Sequence, residues 1–155
     1  MDSFRGQFNC NVDDKGRIKL PVLFKSQFPA ADEGRFMLKK GLDDCLEIYS
    51  LAGWRLEEDK LRLLDRYNPT HRKFRGQFTE GLIELSLDSS DRLLIPKSLV
   101  QYIHNAREVI VKGELDCIQI WDAKAFAKFM ESDPIDLHNM SIEISKYIDE
   151  QKAKK

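Results

Sequence analysis

Two stretches of this chain place an aspartate four residues before an arginine and follow it with strand-forming residues and a proline. They are Asp13-Asp14-Lys15-Gly16-Arg17-Ile18-Lys19-Leu20-Pro21 and, 75 residues later, Asp88-Ser89-Ser90-Asp91-Arg92-Leu93-Leu94-Ile95-Pro96. A carboxylate at that spacing can reach round a tight turn, pair with the guanidinium and fix its fork. A fixed, outward guanidinium can donate two hydrogen bonds to guanine O6 and N7 in the DNA major groove, worth ~1–3 kcal/mol of discrimination. Lys15, Lys19 and Arg5 would then meet phosphates, which set register and salt dependence but not sequence. The same spacing also closes ordinary hairpins with an ion pair, and on these residues alone that plainer reading is the stronger one.

The frame around these turns repeats as well. Gly41-Leu42-Asp43-Asp44-Cys45-Leu46-Glu47-Ile48-Tyr49-Ser50 aligns with Gly113-Glu114-Leu115-Asp116-Cys117-Ile118-Gln119-Ile120-Trp121-Asp122 at an offset of 72. Two phrases in one order indicate an internal duplication of about 70 residues. Phe4-Arg5-Gly6-Gln7-Phe8 recurs as Phe74-Arg75-Gly76-Gln77-Phe78, but at offset 70 and out of frame with the others. The second copy suits a helix, with Phe74 and Phe78 stacked at i, i+4.

Each half reads as short strands around small helices. Gly16 supplies a positive φ before a short strand at Ile18 to Leu20, and Pro21 and Pro96 open helices reaching Phe28 and Ile103. Phe36 to Lys39, Cys45 to Tyr49, Val109 to Lys112 and Cys117 to Trp121 read as further strands. Ser50 and Asp122 then cap longer helices, with Tyr49 on Trp54 and Trp121 on Phe126 as hydrophobic staples. The first of these helices is expected to end near Arg66 and the second near Ser132-Asp133-Pro134. Beyond them, Leu137, Met140, Ile144, Tyr147 and Ile148 give an amphipathic helix that either completes the core or meets another subunit, before a basic tail at Lys152 to Lys155.

Composition narrows the function classes. With 25 Lys and Arg against 26 Asp and Glu, the net charge of −1 does not advertise a nucleic-acid partner, so any such contact must come from local patches. Residues 1–30 hold five basic against three acidic side chains and residues 55–75 hold seven against four, the latter reading as a solvated helix face. No stretch approaches a membrane span, and the start Met-Asp-Ser-Phe-Arg lacks the basic start and apolar run of a secretion signal, so a cytoplasmic location is the expectation. Cys10, Cys45 and Cys117 read as reduced thiols, and no Cys/His spacing suits a metal. No nucleophile with a nearby base and no phosphate-cradling glycine loop is visible, so the chain does not read as an enzyme and no cofactor or small-molecule substrate is expected.

Phe4-Arg5-Gly6, Asp13-Asp14-Lys15-Gly16-Arg17, the Gly-Leu-Asp-Asp-Cys-Leu strand entry and Leu115-Asp116-Cys117-Ile118-Gln119-Ile120-Trp121 together resemble the MraZ family of bacterial transcriptional regulators, over about residues 4–130. The resemblance implies an α+β chain of two fused AbrB-like swapped-hairpin halves. They would span residues 1–68 and 69–133, each with its own helix, followed by a C-terminal helix and basic tail at 134–155. It also implies ring-shaped homo-oligomers, nucleoid association and repression through repeated guanine-containing boxes in double-stranded DNA, upstream of the division and cell wall gene cluster. The family's DNA-contacting motif maps onto Asp13, Lys15 and Arg17, and less fully onto Asp88 and Arg92, where Ser89-Ser90-Asp91 replaces the charged and glycine turn. Asp91 can enter the left-handed region, but its carboxylate would oppose phosphate, so Arg17 is expected to be the stronger reader. The competing roles are a ring-forming scaffold that binds another protein and an antitoxin-like regulator.

Overall fold

The computed structural model describes residues 3–131 and 133–154, with Pro134 described for its backbone alone. The chain runs β1 (Gln7–Asn11), β2 (Arg17–Lys19), α1 (Val22–Gln27), β3 (Arg35–Lys40), β4 (Leu46–Tyr49), α2 (Leu51–Arg62) and α3 (Pro69–Phe78). It continues β5 (Ile83–Ser86), β6 (Arg92–Leu94), α4 (Lys97–Tyr102), β7 (Glu108–Gly113), β8 (Ile118–Asp122), α5 (Ala123–Phe129) and α6 (Pro134–Ala153). A single 3-10 turn at Ala30–Asp32 lies between α1 and β3. The result is a mixed α+β architecture with antiparallel pairing throughout.

Six strands form one sheet in the order β1-β7-β8-β4-β3-β5, and β2 and β6 form a separate two-stranded ribbon. The outer strands are exchanged between the repeats: β1 pairs with β7, and β5 pairs with β3. Both sheets are centred on pairs that are their own repeat equivalents, Glu47 opposite Gln119 in the large sheet and Ile18 opposite Leu93 in the ribbon. The duplication therefore closes on itself as a pseudo-twofold unit.

Alternation along the strands assigns the layers. Leu46, Ile48, Ile118 and Ile120 face a core shared with Ile18, Leu20, Phe24, Leu93, Ile95 and Leu99, so the ribbon and the short helices α1 and α4 cover one face of the sheet. On the other face Tyr49 packs with Trp54, Leu61 and Phe78 of α2 and α3, and Trp121 packs with Phe126 of α5. The expected caps and staples are present: Gly53 N–H donates to Ser50 Oγ at 2.9 Å, Lys124 N–H to Asp122 Oδ1 at 3.3 Å, and the Tyr49–Trp54 and Trp121–Phe126 rings lie 5.4 and 5.7 Å apart. Cys45 and Cys117 are free and buried just ahead of β4 and β8, and burial pushes both thiols up.

Several boundaries differ from the sequence reading. α2 ends at Arg62, before the expected Arg66, and α3 begins afresh at Pro69 with Asn68 Oδ1 accepting from the Thr70 and His71 N–H groups. α5 ends at Phe129, so the second stop falls before Ser132, which lies outside the described residues, as does Lys155 of the basic tail. The repeat alignment also shifts by one residue within each hairpin. Lys39 stands opposite Glu47 as Lys112 stands opposite Gln119, which makes Gly113 the counterpart of Lys40 and not of Gly41. A Cβ on Gly113 would come within 2.6 Å of the Phe4 and Arg5 backbone, and that close approach requires the glycine. The α6 helix does not complete the core, because every described side chain from Ile135 to Lys154 is exposed.

Candidate functional site

The first turn is organised by one carboxylate. Asp13 Oδ1 accepts from the Lys15 and Arg17 backbone N–H groups, each at 2.9 Å, and Oδ2 accepts from Arg17 Nε at 2.8 Å. Main-chain bonds from Gly16 N–H to the Asp13 carbonyl and from Asp13 N–H to the Arg17 carbonyl close the loop, and Gly16 sits at φ +83°. The Arg17 backbone N–H is the main cause holding the Asp13 carboxyl below its usual range, helped by the guanidinium and the Lys15 N–H.

The second turn has the same wiring despite its different residues. Asp88 Oδ1 accepts from Ser90 N–H at 2.8 Å and Arg92 N–H at 3.0 Å, while Oδ2 accepts from Arg92 Nε at 2.9 Å. Asp91 occupies the glycine position at φ +60°, and the Asp88 carboxyl is lowered chiefly by the Arg92 backbone N–H. The Asp91 carboxylate is not a bare charge beside Arg92, because Lys25 Nζ pairs with its Oδ1 at 2.8 Å. Asp14 is likewise paired, with Arg107 at 2.8 Å.

The two turns meet through the ribbon. Arg17 pairs with Leu94, Ile18 with Leu93 and Lys19 with Arg92. The ladder extends beyond the strands, since Ile95 N–H donates to the Gly16 carbonyl at 2.9 Å and Leu20 N–H to the Asp91 carbonyl at 3.1 Å. Each repeat's turn is therefore fastened to the other repeat's strand. Ile18 and Leu93 point into the core, which leaves Arg17, Lys19, Arg92 and Leu94 on the outer face, with the Arg17 and Arg92 side chains 27% and 35% exposed. Three of these four side chains are cationic, each arginine is held by a carboxylate, and Lys15 is exposed on the first turn.

Arg5 does not join this group. It lies beyond the far end of β1 from the turn, where its N–H meets Gln27 Oε1 at 3.2 Å. Sequence reasoning in turn missed Lys25 and Arg107, the partners of the two remaining turn carboxylates. The repeat contained a signal for Lys25: at the 75-residue offset its counterpart is Val100, so it is a cation without an equivalent. Among the described residues, no group of three or more His, Cys, Asp or Glu side chains is arranged to hold a metal, and no helix is long and apolar enough to cross a membrane.

The family model described as "MraZ protein, putative antitoxin-like" matches residues 3–76 and again residues 78–143. The chain belongs to the MraZ family. Three relatives named "Transcriptional regulator MraZ" agree with this. The one from Cytophaga hutchinsonii is 34% identical over 133 residues, covering 86% of this chain and 88% of its own. Those from Alkaliphilus metalliredigens and Clostridium acetobutylicum are each 36% identical, over 81% and 83% of this chain and 85% and 88% of their own. The two matched stretches correspond to the two MraZ repeats whose turns meet at the ribbon.

Proposed function

We propose that this protein is a sequence-specific DNA-binding transcriptional regulator, acting as a repressor on repeated guanine-containing boxes upstream of the division and cell wall gene cluster. The observation that carries this reading is the outer face of the β2–β6 ribbon, where Arg17 and Arg92 are each oriented by an aspartate within 2.9 Å and joined by Lys19. A two-stranded ribbon fits the major groove, and an oriented guanidinium suits a guanine edge. Lys19 and Lys15 supply phosphate contacts, with Asp13 and Asp88 positioning the readers. Arg5, beyond the far end of β1, contributes at most to the outer electrostatic field.

The architecture behind the ribbon is an AbrB-like pair of halves, residues 1–68 and 69–133, with exchanged hairpin strands. The β1–β7 and β5–β3 pairings support that description. One ribbon with three outward cations on a chain of net charge −1 makes a modest site. Linking several copies in a closed homo-oligomer raises its strength, because each further box binds at high effective concentration.

The experiment is a comparison of DNA carrying one box with DNA carrying several boxes at native spacing, using the full chain. Binding to the array at least a hundredfold tighter is expected. Equal affinity for the two would remove the multivalent model, and no preference over scrambled DNA would remove sequence-specific binding altogether.

A further inference from the structure

The outer face of the ribbon differs between its two ends. At the 75-residue offset Arg17 corresponds to Arg92 and Ile18 to Leu93, but Lys19 corresponds to Leu94. The register sets these residues in two cross-strand pairs, Arg17 opposite Leu94 and Lys19 opposite Arg92. One end therefore presents an arginine beside a leucine, and the other an arginine beside a lysine. Leu94 is 55% exposed, and the core does not need it, because its neighbours Leu93 and Ile95 alternate inward and are 0% and 2% exposed. A single exposed leucine is ordinary on a protein surface. This one stands among the three cations of the proposed reading face, directly across from Arg17, whose Nε is held by Asp13 so that its two terminal nitrogens form the fork.

Side chains directly opposite each other on antiparallel strands stand roughly 5 Å apart at Cβ, and successive base pairs stand ~3.4 Å apart along the DNA axis. The Arg17 fork and the Leu94 methyls thus reach about the same or adjoining base pairs. In the major groove guanine offers O6 and N7 to a guanidinium, and the one apolar group on any base edge is the thymine C5-methyl. Leucine has no side-chain donor or acceptor, so that methyl is the feature it can distinguish there. We propose that Leu94 packs on the methyl of a thymine adjoining the guanine read by Arg17, which makes it a second specificity-determining residue of the ribbon. The Arg17–Leu94 end then selects guanine next to thymine, while the Lys19–Arg92 end selects guanine alone. This inference deepens the proposed function and rests on the ribbon being the DNA-reading surface.

The test uses the full chain and a random-sequence library of duplex DNA. Duplexes selected by the wild-type protein are expected to carry thymine beside guanine. Resynthesis with deoxyuridine at that one position, which removes the methyl and nothing else, should weaken binding about fourfold per box, the worth of one buried methyl group. Leu94→Ala should bind the thymine and deoxyuridine duplexes equally and keep its preference for guanine. Leu94→Lys, which copies Lys19, should also lose the methyl dependence and show a salt dependence steeper by about one counterion. Both variants should keep the wild-type melting temperature and solution mass, because the side chain is exposed. Selected duplexes without thymine there, no loss on deoxyuridine in the wild type, or an equal loss in Leu94→Ala would overturn the contact while leaving guanine recognition intact. A fall in the mass of Leu94→Ala without DNA would overturn it in favour of a contact between copies. A library from which nothing is enriched would remove sequence-specific binding, and this contact with it.

Discussion

Ile18 stands directly opposite Leu93, the residue that occupies its own place in the other repeat. The pseudo-twofold axis therefore runs through the ribbon, and the Asp13–Arg17 and Asp88–Arg92 turns are presented as a pair facing the same side. Neither turn is fixed by its own half alone, because the Gly16 and Asp91 carbonyls each accept from an N–H just past the other repeat's strand, Ile95 and Leu20 respectively.

Replacing Arg17 with Ala is expected to lower preference for guanine boxes by about tenfold or more per box, corresponding to the ~1–3 kcal/mol of a bidentate guanine contact. Arg17→Lys should fail to restore it, since an ammonium lacks the planar fork. Arg92→Ala should reduce preference by a comparable factor, because its turn has the same hydrogen bonds. Competition binding against scrambled DNA measures all three, and full preference in Arg17→Ala would exclude its role as a reader.

Asp91 separates backbone from charge effects. Asp91→Val places a β-branched residue at φ +60°, which costs about 1–2 kcal/mol. Asp91→Gly suits the backbone but releases Lys25, adding one free cation beside the ribbon. The first variant should melt several degrees lower. The second should melt near wild type and show a salt dependence of DNA binding steeper by about one counterion.

A different pair governs the helical layer. Lys39 Nζ lies 3.0 Å from Glu47 Oε1 with both side chains buried, Tyr49 donates to the same oxygen at 3.1 Å, and the ammonium sits 4.1 Å from the Phe78 ring centre. The second repeat places Gln119 where the first has Glu47, accepting from Trp121 Nε1 at 3.0 Å. Glu47→Gln would strand the Lys39 charge and is expected to cost about 3–5 kcal/mol, whereas Lys39→Met with Glu47→Leu should recover most of that. Chemical denaturation distinguishes the two outcomes.

Two sets of groups give opposite pH dependence. His104 Nε2 meets Asp44 at 2.8 Å, and that hydrogen bond raises the His104 value, so its contribution is full below the unfolded value near ~6.5 and is lost as pH rises through the higher folded one. The melting difference between wild type and His104→Ala should therefore shrink from pH 5.5 to 8.5. Asp13 and Asp88 are lowered, so their contribution is present above ~3.9 and disappears as pH falls through the depressed folded values. An Asp13→Ala penalty that persisted unchanged at pH 2 would contradict the turn geometry.

Local chemistry made much of this protein legible in one dimension. Asp13, Gly16 and Arg17 act within five residues, so their turn is visible in sequence, as are the Ser50 and Asp122 caps and the aromatic staples beside them. The repeat also revealed the common frame of the two halves. What sequence could not supply was pairing between distant segments. β1 and β5 are short, and their partners lie in the opposite repeat, so no local pattern announces them. Phe-Arg-Gly-Gln-Phe shows the limit most directly. At residues 4–8 it enters β1 with Gly6 at φ +126°, whereas at residues 74–78 it is helical behind the Asn68 cap and Pro69. One pentapeptide takes two structures because the free energy of pairing with β7, or of joining a capped helix packed on Trp54, exceeds the small propensity differences within it. Sequence thus determined which residues build a turn and hold an arginine; only the tertiary structure brought the two turns onto one ribbon, paired Asp91 with Lys25 and left α6 uncovered.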